Sequence, residues 1–222
     1  MRSLKPQCLL CEDPNAHSLI TKTGRSFFKC PNCELIYLDP SQKLSPEEEK
    51  ARYETHENDV TDPKYREFVQ PLVNAISKQI TPGSLGLDFG AGTGPILASL
   101  FRENGFEMNV YDPFFWPDAS TLDHLYDFVA ASEVVEHFSN PQREFLLLRQ
   151  LLKPGGILGL MTLLYDDETD IQSWYYLKDP THICAYSKKT LEWIRKQFGF
   201  GNLETFGTRT ILFFCPETQE SR

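Results

Sequence analysis
The stretch LGLDFGAGTG (residues 85–94) constrains this chain more than any other: an apolar run hands over, without a spacer, to three glycines in five residues. Glycine tolerates positive φ and lets a ligand touch the backbone. Amides at the start of a following helix point outward at that ligand. Such a turn belongs between a strand and a helix, and the rest of the chain keeps that alternation. Strands are expected at Leu85–Phe89, Glu107–Tyr111, 127–132 and 156–164, with helices at 95–103, 141–152 and 187–197. Two more strands follow at 203–207 and 211–215, joined so tightly through Thr208-Arg209-Thr210 that they must be antiparallel neighbours. The pattern predicts a doubly wound, mostly parallel α/β sheet with an antiparallel final strand.

The first forty residues read differently. Cys8-Leu-Leu-Cys11 and Cys30-Pro-Asn-Cys33 are separated by 18 residues. A two-residue gap lets both thiolates of one knuckle face one ion, so Cys8, Cys11, Cys30 and Cys33 form a candidate tetrahedral, structural zinc site. The segment between them should be a hairpin turning at Thr23-Gly24-Arg25, with Phe27-Phe28 leading back. Four thiolates on Zn²⁺ carry a net −2, which cancels the +2 of residues 1–45 (six Lys/Arg against four Asp/Glu). Cys184 and Cys215 read as small core residues. Downstream, Ser45-Pro46-Glu47-Glu48 is a strong helix start. A second helix is expected at 65–79, with Phe68, Leu72, Val73 and Ile76 on its buried face. The expected divisions are a zinc-ribbon-like module (1–40), a helical linker or lid (41–82), the α/β domain (83–217) and a short tail (218–222).

Asp112 ends the second strand 24 residues beyond Asp88, placed to bond ribose hydroxyls. Dinucleotide sites use GxGxxG, where backbone meets pyrophosphate. Here the spacing is GxGxG with Asp88 two residues ahead of it. That acid would repel a pyrophosphate and suit a cationic methionyl ammonium and sulfonium.

Four stretches in this order, LDFGAGTG, VYDP, YDFVAASEVVEHF and LLKPGGILGLMT, resemble the class I S-adenosylmethionine-dependent methyltransferases, over residues 85 to about 215. CPNCELIYLDP resembles the bacterial variety with an N-terminal zinc knuckle. The resemblance implies a Rossmann-like domain and S-adenosylmethionine as cofactor. Gly90, Ala91, Gly92 and Gly94 would cradle its methionyl part, and Asp112 its ribose. Phe114 and residues 131–133, including Ser132 and Glu133, would flank adenine and the transferring methyl. Only 14 residues separate Asp112 from Asp127, too few for the usual helix and third strand. The acid that often contacts adenine then has no clear counterpart beyond Asp118 or Asp123.

The acceptor should sit outside the carboxyl ends of the strands. Glu133, Glu136 and His137 fall at i, i+3 and i+4, one face of a helical turn. With His182 they could hold a divalent cation, as similar clusters do in ubiquinone-pathway O-methyltransferases and small-RNA 2′-O-methyltransferases. Otherwise His182 is the expected general base, with Glu136 and His137 beside it, unless it is a structural histidine bonded to Asp179. Tyr53-Glu-Thr-His56-Glu-Asn-Asp59 is either solvated linker or a lid. Trp174, Tyr175 and Tyr176 divide between core and acceptor pocket.

A net charge of −9 leaves no general attraction for nucleic acid, and no apolar run approaches a membrane span. The N-terminus lacks a signal peptide's apolar core, which suits a cytoplasmic protein with reduced thiols. The expected acceptor is a small molecule or carrier-bound metabolite, such as a sugar or quinone-like phenol, with O-methylation favoured. The alternatives are an RNA or protein methyltransferase gripping its substrate through Lys22, Arg25 and Lys29, or an inactive cofactor-binding module.

Overall fold
A computed structural model describes residues 6–55 and 59–217. In chain order the elements are β1 (His17–Ile20), β2 (Ser26–Lys29), β3 (Ile36–Leu38), α1 (Pro46–Glu54), α2 (Pro63–Ser77), β4 (Leu85–Phe89) and α3 (Ile96–Glu103). There follow β5 (Glu107–Tyr111), β6 (Tyr126–Ser132), α4 (Pro141–Gln150), β7 (Leu152–Met161), β8 (Cys184–Ala185), α5 (Lys188–Gln197), β9 (Asn202–Phe206) and β10 (Thr210–Phe214).

The larger sheet runs β5-β4-β6-β7-β10-β9. β4 pairs in parallel with both β5 and β6, and β6 with β7, whereas β10 is antiparallel to β7 and to β9. The antiparallel ending follows the expectation. Side chains alternate along each strand. Phe128, Ala130, Ile157 and Leu212 face α2 and α3, while Val129, Ala131, Leu158 and Phe213 face the opposite core. α2 lies so close to the sheet that a Cβ on Gly159 would stand 2.4 Å from Ile76 Cδ1.

α1 starts as expected, with Ser45 and Glu48 closing a capping box. α2 begins earlier than expected because Asp62 caps it and Pro63 supplies its first turn. Its buried face is Val69, Leu72, Val73, Ala75 and Ile76. Phe68, expected on that face, is instead partly exposed and lies under the Arg209 guanidinium, 5.5 Å from its ring centroid.

The second sheet runs β1-β2-β3-β8. Its first three strands come from the cysteine-bearing segment, but the fourth comes from residues 184–185. The joint is dense: Ile36 pairs with Ala185 and Tyr37 with Cys184, and the Tyr165 hydroxyl donates to the Glu34 carbonyl. Leu10, Phe27, Leu35 and Tyr37 share one core with Tyr186, Leu191 and Phe213. Among the described residues, no helix is long and apolar enough to cross a membrane.

Candidate active site
The two cysteine knuckles have the same backbone. In each, the first cysteine's carbonyl accepts an amide four residues on (Glu12 N at 2.9 Å, Glu34 N at 3.0 Å). Its own amide reaches the carbonyl five residues on, at 3.0 Å in both cases. The residue after the second cysteine takes φ 60° in both, Glu12 and Glu34. The four sulfurs lie within 4.8 Å of one another, with Cys8–Cys33 at 3.5 Å and Cys11–Cys30 at 3.4 Å. A zinc–sulfur tetrahedron has edges of about 3.8 Å, so the set fits a single ion. The Cys8 sulfur and burial push the Cys33 thiol up, burial pushes Cys30 up to about 12, and the contact with Cys33 draws Cys8 down to about 6.

A cavity of about 550 Å³ opens at the carboxyl ends of β4, β5 and β6, where the strand order reverses. Residues 90–93 form one wall. Gly90 at φ +75° and Gly92 at φ +60° use the left-handed region. A Cβ on Gly90 would stand 2.6 Å from Val134 Cγ1. Gly94 is not part of the wall but leads into α3 behind it. Asp112 clasps the turn: its Oδ2 accepts the Gly92 amide at 2.9 Å, and its Oδ1 accepts the amides of Phe114 (2.8 Å) and Phe115 (3.1 Å). Trp116 completes the clasp, its Nε1 donating to the Gly92 carbonyl at 2.9 Å.

Asp88 departs from the expectation. It is buried outside the cavity wall, and its Oδ2 accepts the Ala98 amide of α3 at 3.0 Å. Burial pushes its carboxyl up to about 7. It organises the strand-to-helix junction and does not face a ligand's ammonium. Asp118 and Asp123 are also absent from the cavity wall. Asp118 caps the short helical turn at Ala119–Asp123. Past Asp112 the cavity runs between Tyr111, Phe138, Glu144 and Leu147. Sequence reasoning missed these residues because no local pattern links Tyr111 and Phe138, or Glu144 and Leu147 of α4, to the glycine turn. Four carboxylates (Glu49, Asp112, Glu133 and Glu144) and no lysine or arginine line the cavity, among the described residues.

The Ser132 hydroxyl, in the wall, is buried without a partner among the described residues. Glu133 takes φ 52° and turns its carboxylate to Arg209 Nη1 at 3.1 Å. The expected shared helical face therefore does not form. The short helical turn spans only Val135–His137, and Glu133 lies outside the donor set. Glu136, His137 and His182 do converge, their donor atoms all within 4.8 Å of one another.

Each member of this set is oriented from behind. His137 Nδ1 meets the Thr181 carbonyl at 2.9 Å, and His182 Nδ1 the Tyr176 carbonyl at 2.7 Å. A carbonyl only accepts, so each ring carries its proton on Nδ1 and its lone pair on Nε2. Glu136 is wholly buried. Its Oε1 accepts the Tyr176 hydroxyl, while Oε2 has no partner among the described residues. Burial raises the Glu136 carboxyl and lowers both imidazoles, His182 to about 4 with the nearby His137 contributing. His182 does not bond its ring to the Asp179 carboxylate, which is taken by Thr181 and Arg52.

Both histidines line the same cavity as the glycine turn. Tyr53 of α1 lies over it, 5.4 Å from the His137 ring and 6.0 Å from Phe114. Of the expected lid, His56, Glu57 and Asn58 fall outside the described residues.

Residues 62–205 match the family model described as "Methyltransferase domain". Comparison with curated proteins gives no match. Among solved structures, an O-methyltransferase family protein from Burkholderia thailandensis superposes with a TM-score of 0.52 at 16% identity. That alignment covers 78% of this chain but only 64% of that protein's length. The 1,6-didemethyltoxoflavin-N1-methyltransferase of the same organism, solved with its substrate and S-adenosylhomocysteine, gives 0.54 at 13% identity, covering 90% and 98%. A SAM dependent methyltransferase from Archaeoglobus fulgidus gives 0.52 at 19%, covering 67% and 94%. The superpositions speak for the fold, while the family match spans well over half the chain and coincides with the glycine turn, Asp112 and the cavity between them. The chain belongs to the class I S-adenosylmethionine-dependent methyltransferases.

Proposed function
We propose that this methyltransferase O-methylates a small-molecule or carrier-bound metabolite whose hydroxyl is received by Glu136, His137 and His182. The observation that carries this is the arrangement of the three. Donor atoms of Glu136, His137 and His182 lie within 4.8 Å of one another. The buried Glu136 keeps a carboxylate oxygen unpartnered among the described residues, and both histidines line the cavity that also contains the glycine turn.

Bound S-adenosylmethionine supplies a methyl group on a sulfonium, already activated for in-line displacement. Gly90, Ala91 and Gly92 would hold its methionyl part and Asp112 its ribose. Phe114, Ser132 and Glu133 would flank the reacting end. Tyr111, Phe138, Glu144 and Leu147 would receive adenine. The excess of carboxylates in the wall favours a cationic cofactor and disfavours an anionic group on the part of the acceptor that enters.

The remaining task is to align the hydroxyl and remove its proton. The two-nitrogen, one-oxygen donor set suits a divalent cation, which when bound would acidify a coordinated hydroxyl. Glu136 would bind through Oε2 while Tyr176 holds Oε1, and the backbone carbonyls behind the rings fix both Nε2 atoms inward. The segment 41–82 would act as a lid through Tyr53, enclosing the reaction. The four-cysteine set is assigned a structural zinc, and reduced thiols suit a cytoplasmic protein.

The hairpin cations do not favour an RNA or protein substrate. Arg25 is engaged by backbone carbonyls, Lys29 lies 5.0 Å from the Tyr165 ring centroid, and Lys22 is 3.7 Å from Asp170. The test is methyl transfer from radiolabelled S-adenosylmethionine to a panel of phenols, sugars and amines, with product structures read by NMR. Labelling only of amines would reject O-methylation. Activity untouched by exhaustive chelation would reject the cation. Absence of cofactor binding by calorimetry would reject the methyltransferase reading itself.

A further inference from the structure
Arg25 sits at the tip of the hairpin between β1 and β2, on the cysteine-bearing module, yet its guanidinium is used elsewhere. Nη1 donates to the carbonyls of Leu177 (2.8 Å) and Asp179 (2.6 Å). Nη2 donates to those of Pro180 (3.0 Å) and His182 (3.1 Å). Four carbonyls of one short loop therefore converge on one planar cation. The same loop provides the Thr181 carbonyl that orients His137, and Tyr176, just ahead of it, provides the carbonyl that orients His182. A second arginine braces it: Arg52 of α1 donates to Asp179 Oδ2 at 2.9 Å, while Asp179 Oδ1 accepts the Thr181 amide and hydroxyl.

We propose that Arg25 is a positioning residue for the His137–His182 pair, acting through the carbonyls of residues 177–182. This rests on the reading of those histidines as the acceptor site. Convergent carbonyls repel one another and need donors. The Leu177 side chain and Thr181 are buried, so water cannot freely replace the guanidinium on the loop's inner side. Lysine offers three donors on a tetrahedral head, whereas arginine offers a flat fork of five. Four acceptors in this arrangement select arginine. The cysteine-bearing module thus reaches across the molecule to fix the rings that face the acceptor.

The experiment compares wild-type protein with Arg25→Ala and Arg25→Lys. Long-range ¹H–¹⁵N NMR reads the tautomers of the histidine rings, assigned with His137→Gln and His182→Gln. Wild type should show both rings protonated at Nδ1. In Arg25→Ala both signals should move toward the tautomer average, and Arg25→Lys should recover them only in part. Low-millimolar guanidinium, far below denaturing levels, should restore Arg25→Ala where ammonium does not. The S-adenosylmethionine affinity should stay within about twofold, while kcat for any accepted hydroxyl substrate falls ~10- to 100-fold. Unchanged rings in both variants would overturn the proposal, as would restoration by ammonium as well as by guanidinium. If Arg25→Ala does not fold, Arg25→Lys carries the comparison. Altered rings in the Arg25 variants alongside full activity in His182→Gln would support the clamp and refute the acceptor-site reading instead.

Discussion

The Asp112 carboxylate accepts the Gly92 amide at 2.9 Å, tying the end of β5 to the glycine turn that follows β4. One residue thereby shapes the turn and offers its remaining acceptor capacity to a ligand.

Asp112→Asn should therefore cost more than a ribose contact. The amide keeps one acceptor but not the charge that three backbone N–H groups now share. Loss of one or two charge-assisted bonds, about 1.5–3 kcal/mol, corresponds to a ~10- to 100-fold weaker S-adenosylmethionine Kd by calorimetry.

Gly90→Ala faces two obstacles, the positive φ and the Val134 methyls. Together they should destabilise the fold by about 2–4 kcal/mol, read as a fall in the denaturation midpoint. Val134→Ala added to it should recover the steric part but not the backbone part. A double-mutant cycle measures the split.

Asp88 gives a pH dependence with a definite sign. Its folded-state pKa of about 7 lies above the ordinary aspartate value, so the folded protein holds that proton more tightly than the unfolded chain. The stability contribution is complete below about pH 4 and is lost as the pH rises through 7, with a slope of at most roughly 1.4 kcal/mol per unit. Asp88→Asn, which keeps an acceptor for the Ala98 amide, should flatten that slope. It should leave cofactor affinity nearly unchanged, because the carboxylate does not reach the cavity.

Glu136→Gln and His182→Gln should each abolish most methyl transfer to a hydroxyl acceptor, by ~100-fold or more, while retaining S-adenosylmethionine binding. Glu133→Gln should be milder in transfer, since its carboxylate is already committed to Arg209. Equal losses at Glu133 and Glu136 would restore the four-residue site that the helical spacing suggests.

Cys33→Ser should release the zinc assigned to the four-cysteine site and lower the melting temperature of the whole chain in a single transition. The cysteine segment and the α/β part share one core, so a second, independent transition is not expected. Metal content and calorimetric scans check both points.

Much of this was legible in the residues. The glycine spacing, the acid at the end of β5 and the strand–helix alternation follow from short-range chemistry, as do the two knuckles. What escaped depended on contacts far apart in sequence. β8 is two residues long and has β3 as its strand partner, a segment nearly 150 positions away in the chain. Asp88 stands beside the glycines in sequence, yet the pleat of β4 and the start of α3 point its carboxylate inward. The i, i+3, i+4 spacing placed Glu133 with Glu136, but the left-handed residue at 133 breaks the helix before it can align them. Glu144 entered the wall from α4, which no local pattern could connect with Asp112.

The pairing of β3 with β8 also sets an order of events. Residues 36–38 leave the ribosome long before residues 184–185, so the cysteine-bearing module is made well before the strand that completes its sheet. Until then β3 presents an unpaired edge, and so distant a closure slows folding. The knuckles can hold their metal early, but the sheet they anchor waits for residues 184–185, and a nascent fragment ending before Cys184 should be far more prone to aggregate than the finished protein.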